Sequence, residues 1–187
     1  FAQKRLVQER KNWNRNHPHG FYARPTKNSD GTRDLMHWIA GIPGKEGTPW
    51  EGGIYKLILS FPENYPSKPP HCKFDPVIFH PNVYPSGTVC LSILNPPPKG
   101  NWSPSLNLRS VLLAIQVRCE LCFWCSRGVR GVTHEILLFV LESFGEQELL
   151  DTPNEKDPAQ RAPFELYLAD KELYAKRVRE EAMKHRP

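Results

Sequence analysis

Cysteine is the residue type in this chain with the most chemistry to offer. There are five, an odd number, and the opening Phe1-Ala2-Gln3-Lys4-Arg5 has no secretory apolar region. A disulfide framework is therefore not expected, and a special cysteine should be reactive or metal-binding. Three of them form Cys119-x-x-Cys122-x-x-Cys125 with His134 nearby. That is ligand chemistry, but its spacing does not match the paired arrangement of zinc sites. The other two stand apart, Cys72 in a short strand-like stretch and Cys90 in a long segment rich in Pro, Gly, Ser and Asn. With no initiator Met, the expectation is that residues before Phe1 have been lost.

The elements that must position these groups follow from pattern. Ala2 to Asn16 reads as a helix of good helix formers, with Leu6 and Trp13 seven apart on one face. Lys4, Arg5, Arg10, Lys11 and Arg15 make it the basic part of the chain, either a solvated face or a docking surface for an acidic partner. His17-Pro18 stops it. Segments with strand character come next, separated by turn signals. After the turn cluster Asn28-Ser29-Asp30-Gly31 comes a strand from Leu35 to Ile42, and a second from Ile54 to Phe61 alternates cleanly. A short strand lies around Cys72-Lys73-Phe74. Such short connections favour an antiparallel meander, because parallel pairing needs long crossovers. From Pro76 to Pro104 little is regular, yet apolar residues recur throughout, as expected of a packed, functional loop. Helix signals return with Asn107 as a cap and Leu108, Val111, Leu112 and Ile115 on one face. Asp157-Pro158 reads as an N-cap with Pro at the first helical position, and Asp170 caps a last helix carrying Tyr174 and Val178. The order of helix, strands and helices gives an α+β class.

Composition narrows the function. With 187 residues, 39% hydrophobic and 24% charged, the chain has enough material for one domain with a real core. No apolar run approaches the ~20 residues of a membrane span. The 19 prolines gather mid-chain and suggest stiff irregular connections. A net charge of +5 is a mild excess that favours acidic partners, with ordinary solubility the plainer reading. No nucleic-acid motif accompanies it.

The segment Phe79-His80-Pro81-Asn82-Val83-Tyr84-Pro85-Ser86-Gly87-Thr88-Val89-Cys90-Leu91-Ser92-Ile93-Leu94 resembles the active-site stretch of the ubiquitin-conjugating enzyme superfamily. The triplet His80-Pro81-Asn82 ends eight residues before Cys90. Upstream Tyr65-Pro66-x-x-Pro69-Pro70 and downstream Trp102-Ser103-Pro104 match that family in order and spacing. Lys45-x-Gly47-Thr48-Pro49-Trp50-Glu51-Gly52-Gly53, the Cys90 segment and Asp157-Pro158-Ala159-Gln160 are most similar to the SUMO-conjugating branch.

The resemblance implies the ubiquitin-conjugating fold: an N-terminal helix, a four-stranded antiparallel meander and C-terminal helices. It implies that Cys90 accepts SUMO from the activating enzyme as a thioester and passes it to substrate lysines as an isopeptide; the alternatives are a ubiquitin-conjugating enzyme and a non-catalytic modifier-binding scaffold disabled by the insertion. No cofactor or metal is implied, because the carboxyl arrives already activated in an ATP-dependent pathway. Asn82 would stabilise the oxyanion of the attack; bonding its own backbone as a loop-shaping residue is the other reading. His80 looks structural. Asp157 and Tyr84 would orient and desolvate the incoming amine. Ser86, Thr88, Pro158 and Gln160 would contact the substrate motif, and Lys73 would read its acidic residue. Arg10, Lys11 and Arg15 would dock the activating enzyme and a second, non-covalent SUMO. SUMO ligases and proteins with an exposed lysine motif complete the implied partners. The expectation is a monomer in nucleus and cytoplasm, without nucleic acid or membrane.

Several positions depart from the SUMO-type pattern. Arg161 stands where a small residue is common, Phe164 where Tyr is common, and Asn14 where a basic residue is usual. The loop Asn95-Pro96-Pro97-Pro98-Lys99-Gly100-Asn101 is longer than usual and replaces an acidic stretch. Between Gln116 and Glu148 lies a 31-residue block, Val117 to Gln147, without counterpart in the family. Removing it joins Leu112-Leu113-Ala114-Ile115-Gln116 to Glu148-Leu149-Leu150 as one helix, so a single conjugating domain over residues 1–187 is interrupted at 117–147. Three readings compete for the block. The favoured one is an intron translated in frame, since Val codons begin GT and Gln can be encoded CAG. The others are a lineage-specific insertion and a metal site on the three cysteines. Glu135 to Phe144 would form a helix of its own.

Overall fold

The computed structural model describes residues 1–116 and 158–187. The inserted block, its cysteines, His134, the helix expected at Glu135 to Phe144, and Asp157 lie outside the described residues.

Helix α1 spans Ala2–Arg15 and buries Ala2, Leu6, Glu9 and Trp13, a stripe at helical spacing. It stops one residue short of expectation, because Asn16 leaves helical geometry at φ −153 and ψ 82. Four strands follow, β1 Tyr22–Lys27, β2 Arg33–Pro43, β3 Ile54–Ser60 and β4 His71–Phe74. They pair antiparallel in the order β1-β2-β3-β4, the meander expected. The register stacks one apolar face: Trp38 opposite Leu59, Ala40 opposite Leu57, Ile42 opposite Tyr55, then Leu57 opposite Phe74 and Leu59 opposite Cys72. All of these are buried. Sequence marks no bounds for β1, whose Pro25 cannot donate to a ladder; an edge position and the register shift between Pro25 and Thr26 accommodate it.

Helix α2, Leu108–Gln116, buries Leu108, Val111, Leu112 and Ile115, the four residues its periodicity selects, and lies against α1 and β2. Asn107 caps it by accepting from the Ser110 N–H at 2.9 Å. Helices α3, Arg161–Ala169, and α4, Lys171–Lys184, close the chain. Asp170 caps α4 as expected, accepting from the Leu173 N–H at 2.9 Å. The start expected at Asp157-Pro158 is corrected, since α3 begins at Arg161. The amides of Ala159 and Gln160 donate instead to the Pro81 carbonyl, at 2.7 and 2.9 Å, through a bend at Ala159 that precedes the helix.

One charged side chain ties these pieces together. Glu9 is only 3% exposed. Its carboxylate accepts from Arg5 Nε at 2.8 Å, from the Tyr65 hydroxyl at 3.2 Å and from the Leu108 N–H at 3.2 Å. The last is an unsatisfied amide of the first turn of α2, whose dipole favours the anion. Arg5 spans onward to the carbonyls of Pro104 and Leu106. Arg5 therefore belongs to the interior joint and not to the solvated basic face. Burial, then the Glu9 charge, holds the Tyr65 hydroxyl well above the usual phenol range.

Glu9→Ala leaves the guanidinium and two buried donors without their acceptor. Its expected cost is about 3 kcal/mol, read as a lower midpoint of urea unfolding at unchanged slope.

At the end of α4, the His185 ring packs 4.9 Å from Tyr55, while its carbonyl accepts from the Ile54 N–H at 2.8 Å. Burial holds its imidazole below the ordinary value of 6.5, and Lys184 adds to this against the opposing pull of Glu181. The folded state thus binds fewer protons than the unfolded chain. This contribution is complete above about pH 6.5 and is lost as pH falls through the depressed value. Thermal melts should show Tm falling on acidification below about pH 6.5, and His185→Phe should reduce that fall.

Candidate active site

The loop containing Cys90 is built by borrowed strand geometry. Val83 bridges Val89, the Tyr84 N–H donates to the Thr88 carbonyl at 2.9 Å, and the Gly87 N–H closes the turn on the Tyr84 carbonyl at 2.7 Å. This small hairpin docks on β4. The Phe74 N–H donates to the Gly87 carbonyl at 2.9 Å, and the Val89 N–H donates to that of Cys72 at 3.0 Å. Gly87 is required there: its φ is +88, and a Cβ would stand 2.4 Å from the Phe74 carbonyl oxygen. The chain leaves the hairpin at Cys90, whose N–H donates to the Asn82 carbonyl at 2.8 Å.

Cys90 and Cys72 both carry their sulfur as a thiol. Cys72 faces the core, and burial pushes its thiol up to about 12, so it is inert as a nucleophile. Cys90 is half-buried, and the Tyr84 hydroxyl donates to its Sγ at 3.8 Å. Tyr84 itself is 41% exposed, so the sulfur and this phenol stand where a partner can reach them.

His80 and Asn82 are fully buried. The Asn82 N–H donates to His80 Nδ1 at 3.0 Å, so that nitrogen carries no proton and the ring acts as a backbone fastener. This agrees with the structural reading of His80. Asn82 is held from both sides, by its amide to His80 and by its carbonyl to Cys90.

The expected substrate residues come together around the hairpin. Lys73 on β4 bridges Thr88, and Ser86 Oγ donates to Thr88 Oγ1 at 2.9 Å. Gln160 Nε2 donates to the carbonyls of Ile78 and Tyr84, at 3.4 and 3.5 Å. Through Gln160 and the Pro81 bonds, Pro158-Ala159-Gln160 is laced to the loop carrying Asn82 and Tyr84. Sequence reasoning misses the carbonyl of Pro81 as the joint of this arrangement, since no side-chain pattern marks a backbone acceptor.

The basic surface of α1 is not one patch. Arg10 and Lys11 line a cleft of about 310 Å³ with Val7, Asn14, Arg33 and Leu35. Arg15 opens into a different cleft, of about 230 Å³, beside Asn107 and Arg109. Arg33 and Arg109 had no signal in sequence, being isolated charges brought in from β2 and α2. Among the described residues, no three metal-ligating side chains converge, and no helix is long and apolar enough to cross a membrane.

Comparison with known proteins agrees with this geometry. A family model described as ubiquitin-conjugating enzyme matches residues 5–120. The SUMO-conjugating enzyme of Dictyostelium discoideum is 47% identical over 187 residues, covering 100% of this chain and 97% of that protein. That of Caenorhabditis elegans is 41% identical over 185 residues, 99% of this chain and 92% of its own. That of Arabidopsis thaliana is 45% identical over 179 residues, 96% of this chain and 91% of its own. With its meander, its packed hairpin and a half-buried thiol at the hairpin's exit, the chain belongs to the ubiquitin-conjugating enzyme family.

Proposed function

We propose that this protein is a SUMO-conjugating enzyme and that Cys90 carries the modifier. The observation that bears most weight is the half-buried Cys90 thiol, which accepts from the Tyr84 hydroxyl at the exit of the hairpin that Lys73, Ser86, Thr88 and Gln160 contact. Identities of 41% to 47% with SUMO-conjugating enzymes over nearly the whole chain support the choice of modifier.

In the first step the Cys90 sulfur displaces the activating enzyme's sulfur from the modifier's terminal carbonyl, exchanging one thioester for another. In the second, a substrate lysine nitrogen attacks that carbonyl. The C–N bond forms, the C–S bond breaks, and the electron pair leaves with the Cys90 sulfur. Splitting the transfer into two displacements needs no metal or nucleotide at this site. Charge developing on the carbonyl oxygen needs a donor that is already in place. The resemblance gives that task to the Asn82 amide, and the double fastening of the Asn82 backbone supplies the rigidity such a donor requires. The incoming ammonium must lose a proton, which partial desolvation beside the Tyr84 ring favours. Asp157 completes this role by resemblance. Ser86, Thr88, Pro158 and Gln160 receive the substrate backbone, and Lys73 attracts an acidic residue near the acceptor lysine. Arg10 and Lys11 serve one docking contact and Arg15 another, consistent with two partners, the activating enzyme and a second SUMO. SUMO ligases and a nuclear and cytoplasmic place of action belong to the same reading.

Incubation with SUMO, its activating enzyme and ATP should give an adduct that thiol reductant removes. Cys90→Ser should give at most a reductant-stable ester, and ubiquitin with its own activating enzyme should give nothing. Binding of SUMO without charging would instead mark a non-catalytic scaffold. In single-turnover discharge to a lysine substrate, Tyr84→Ala, which removes the desolvating ring, should charge normally but transfer about tenfold more slowly.

A further inference from the structure

We propose that Lys99 is an acceptor for the modifier carried on Cys90 of the same molecule, a self-modification site beside the thioester. The inference rests on the thioester reading above. Residues 95–101 fold back on the residues that follow Cys90. The Asn101 N–H donates to the Ser92 carbonyl at 3.0 Å, and Asn95 Nδ2 donates to that of Leu91 at 3.2 Å. The Trp102 N–H closes the loop on the Asn95 carbonyl at 3.0 Å, above a buried indole whose Nε1 donates to the Pro66 carbonyl at 2.8 Å. Gly100 is packed so tightly that a Cβ there would stand 2.2 Å from the Ser92 carbonyl oxygen. Ser92 is two residues past Cys90, no more than ~7 Å along the chain.

Lys99 precedes Gly100 on this anchored loop. It is exposed, and its ammonium makes no hydrogen bond or ion pair with a described residue. The Lys99 and Gly100 amides both donate to the Pro96 carbonyl at 3.1 Å, so the backbone presenting the lysine is already ordered. Lys73, the lysine that bridges Thr88, differs. Its stem lies along Gly87, with Cγ and Cε 3.1 and 3.3 Å from where a Cβ would stand. One lysine is laid down against the hairpin; the other retains a rotatable four-carbon stem.

The step balances with the groups present. The neutral Lys99 nitrogen attacks the thioester carbonyl, its C–N bond forms, and the C–S bond breaks. The electron pair leaves with the Cys90 sulfur, which takes up the proton the nitrogen loses. A short tether supplies the amine at roughly millimolar effective concentration, without any recognition motif. Self-transfer therefore competes when substrate is scarce.

The test uses the full chain, loaded with SUMO by the activating enzyme and ATP, then depleted of ATP with no substrate added. A reductant-resistant adduct should accumulate at a rate independent of protein concentration, and peptide mass spectrometry should place it on Lys99. Lys99→Arg should load normally and lose the adduct at least about tenfold. Loading without that adduct, an adduct on Lys73 or another lysine instead, or a rate that climbs with protein concentration overturns the inference while leaving the proposed function. Failure to load overturns the function and this inference with it.

Discussion

The hydrogen bond from the Cys90 amide to the Asn82 carbonyl, 2.8 Å long, sets the register of a segment with almost no regular structure. Without it, the chain leaving the hairpin would be free to choose its direction, and the thiol with it. The bond works because both ends are themselves held. Asn82 is fastened through its own amide to the buried His80 ring, and Val89 is fastened to β4 through the Cys72 carbonyl. A nucleophile on a loop thus acquires the rigidity of a sheet. Cost in conformational entropy is borne by many backbone bonds and not by the reacting residue.

The same economy recurs where α1 meets α2. Glu9 is a buried anion, expensive in isolation, yet it accepts from a guanidinium, a phenol and a helix-terminal amide at once. It joins α1, the Tyr65 turn and α2, so the helix that carries Arg10, Lys11 and Arg15 is locked to the domain carrying Cys90. Arg10 and Lys11 can then face solvent on a rigid element, because Arg5 has turned inward to make the joint.

Local signals were legible where burial on one face dictates spacing. The alternation from Ile54, the four buried positions of α2 and the Asp170 cap all follow from short-range pattern. The resemblance around His80-Pro81-Asn82 pointed to Cys90 as the reactive cysteine, and Cys90 is half-buried where Cys72 is buried. What escaped sequence reasoning depends on partners far along the chain. Asp157-Pro158 has the chemistry of a helix start, but the Pro81 carbonyl, about eighty positions earlier, captures the next two amides and delays α3 to Arg161. β1 carries Pro25 and half-exposed residues, so its pattern is weak until β2 pairs with it. Arg5 reads like its basic neighbours, and only the position of Glu9 on the buried stripe turns it inward. The division of the α1 cations between two clefts is likewise invisible until β2 and α2 bring Arg33 and Arg109 alongside.

Of the two described cysteines, Cys90 is reachable and Cys72 is not. The most direct test of this difference is site-resolved alkylation of the native protein before and after charging with SUMO, read by peptide mass spectrometry. The account predicts that Cys90 is alkylated in the uncharged protein and protected after charging, while Cys72 stays unlabelled until the protein is denatured. Protection that falls on a different cysteine, or a Cys90 that charging leaves as reactive as before, would contradict it.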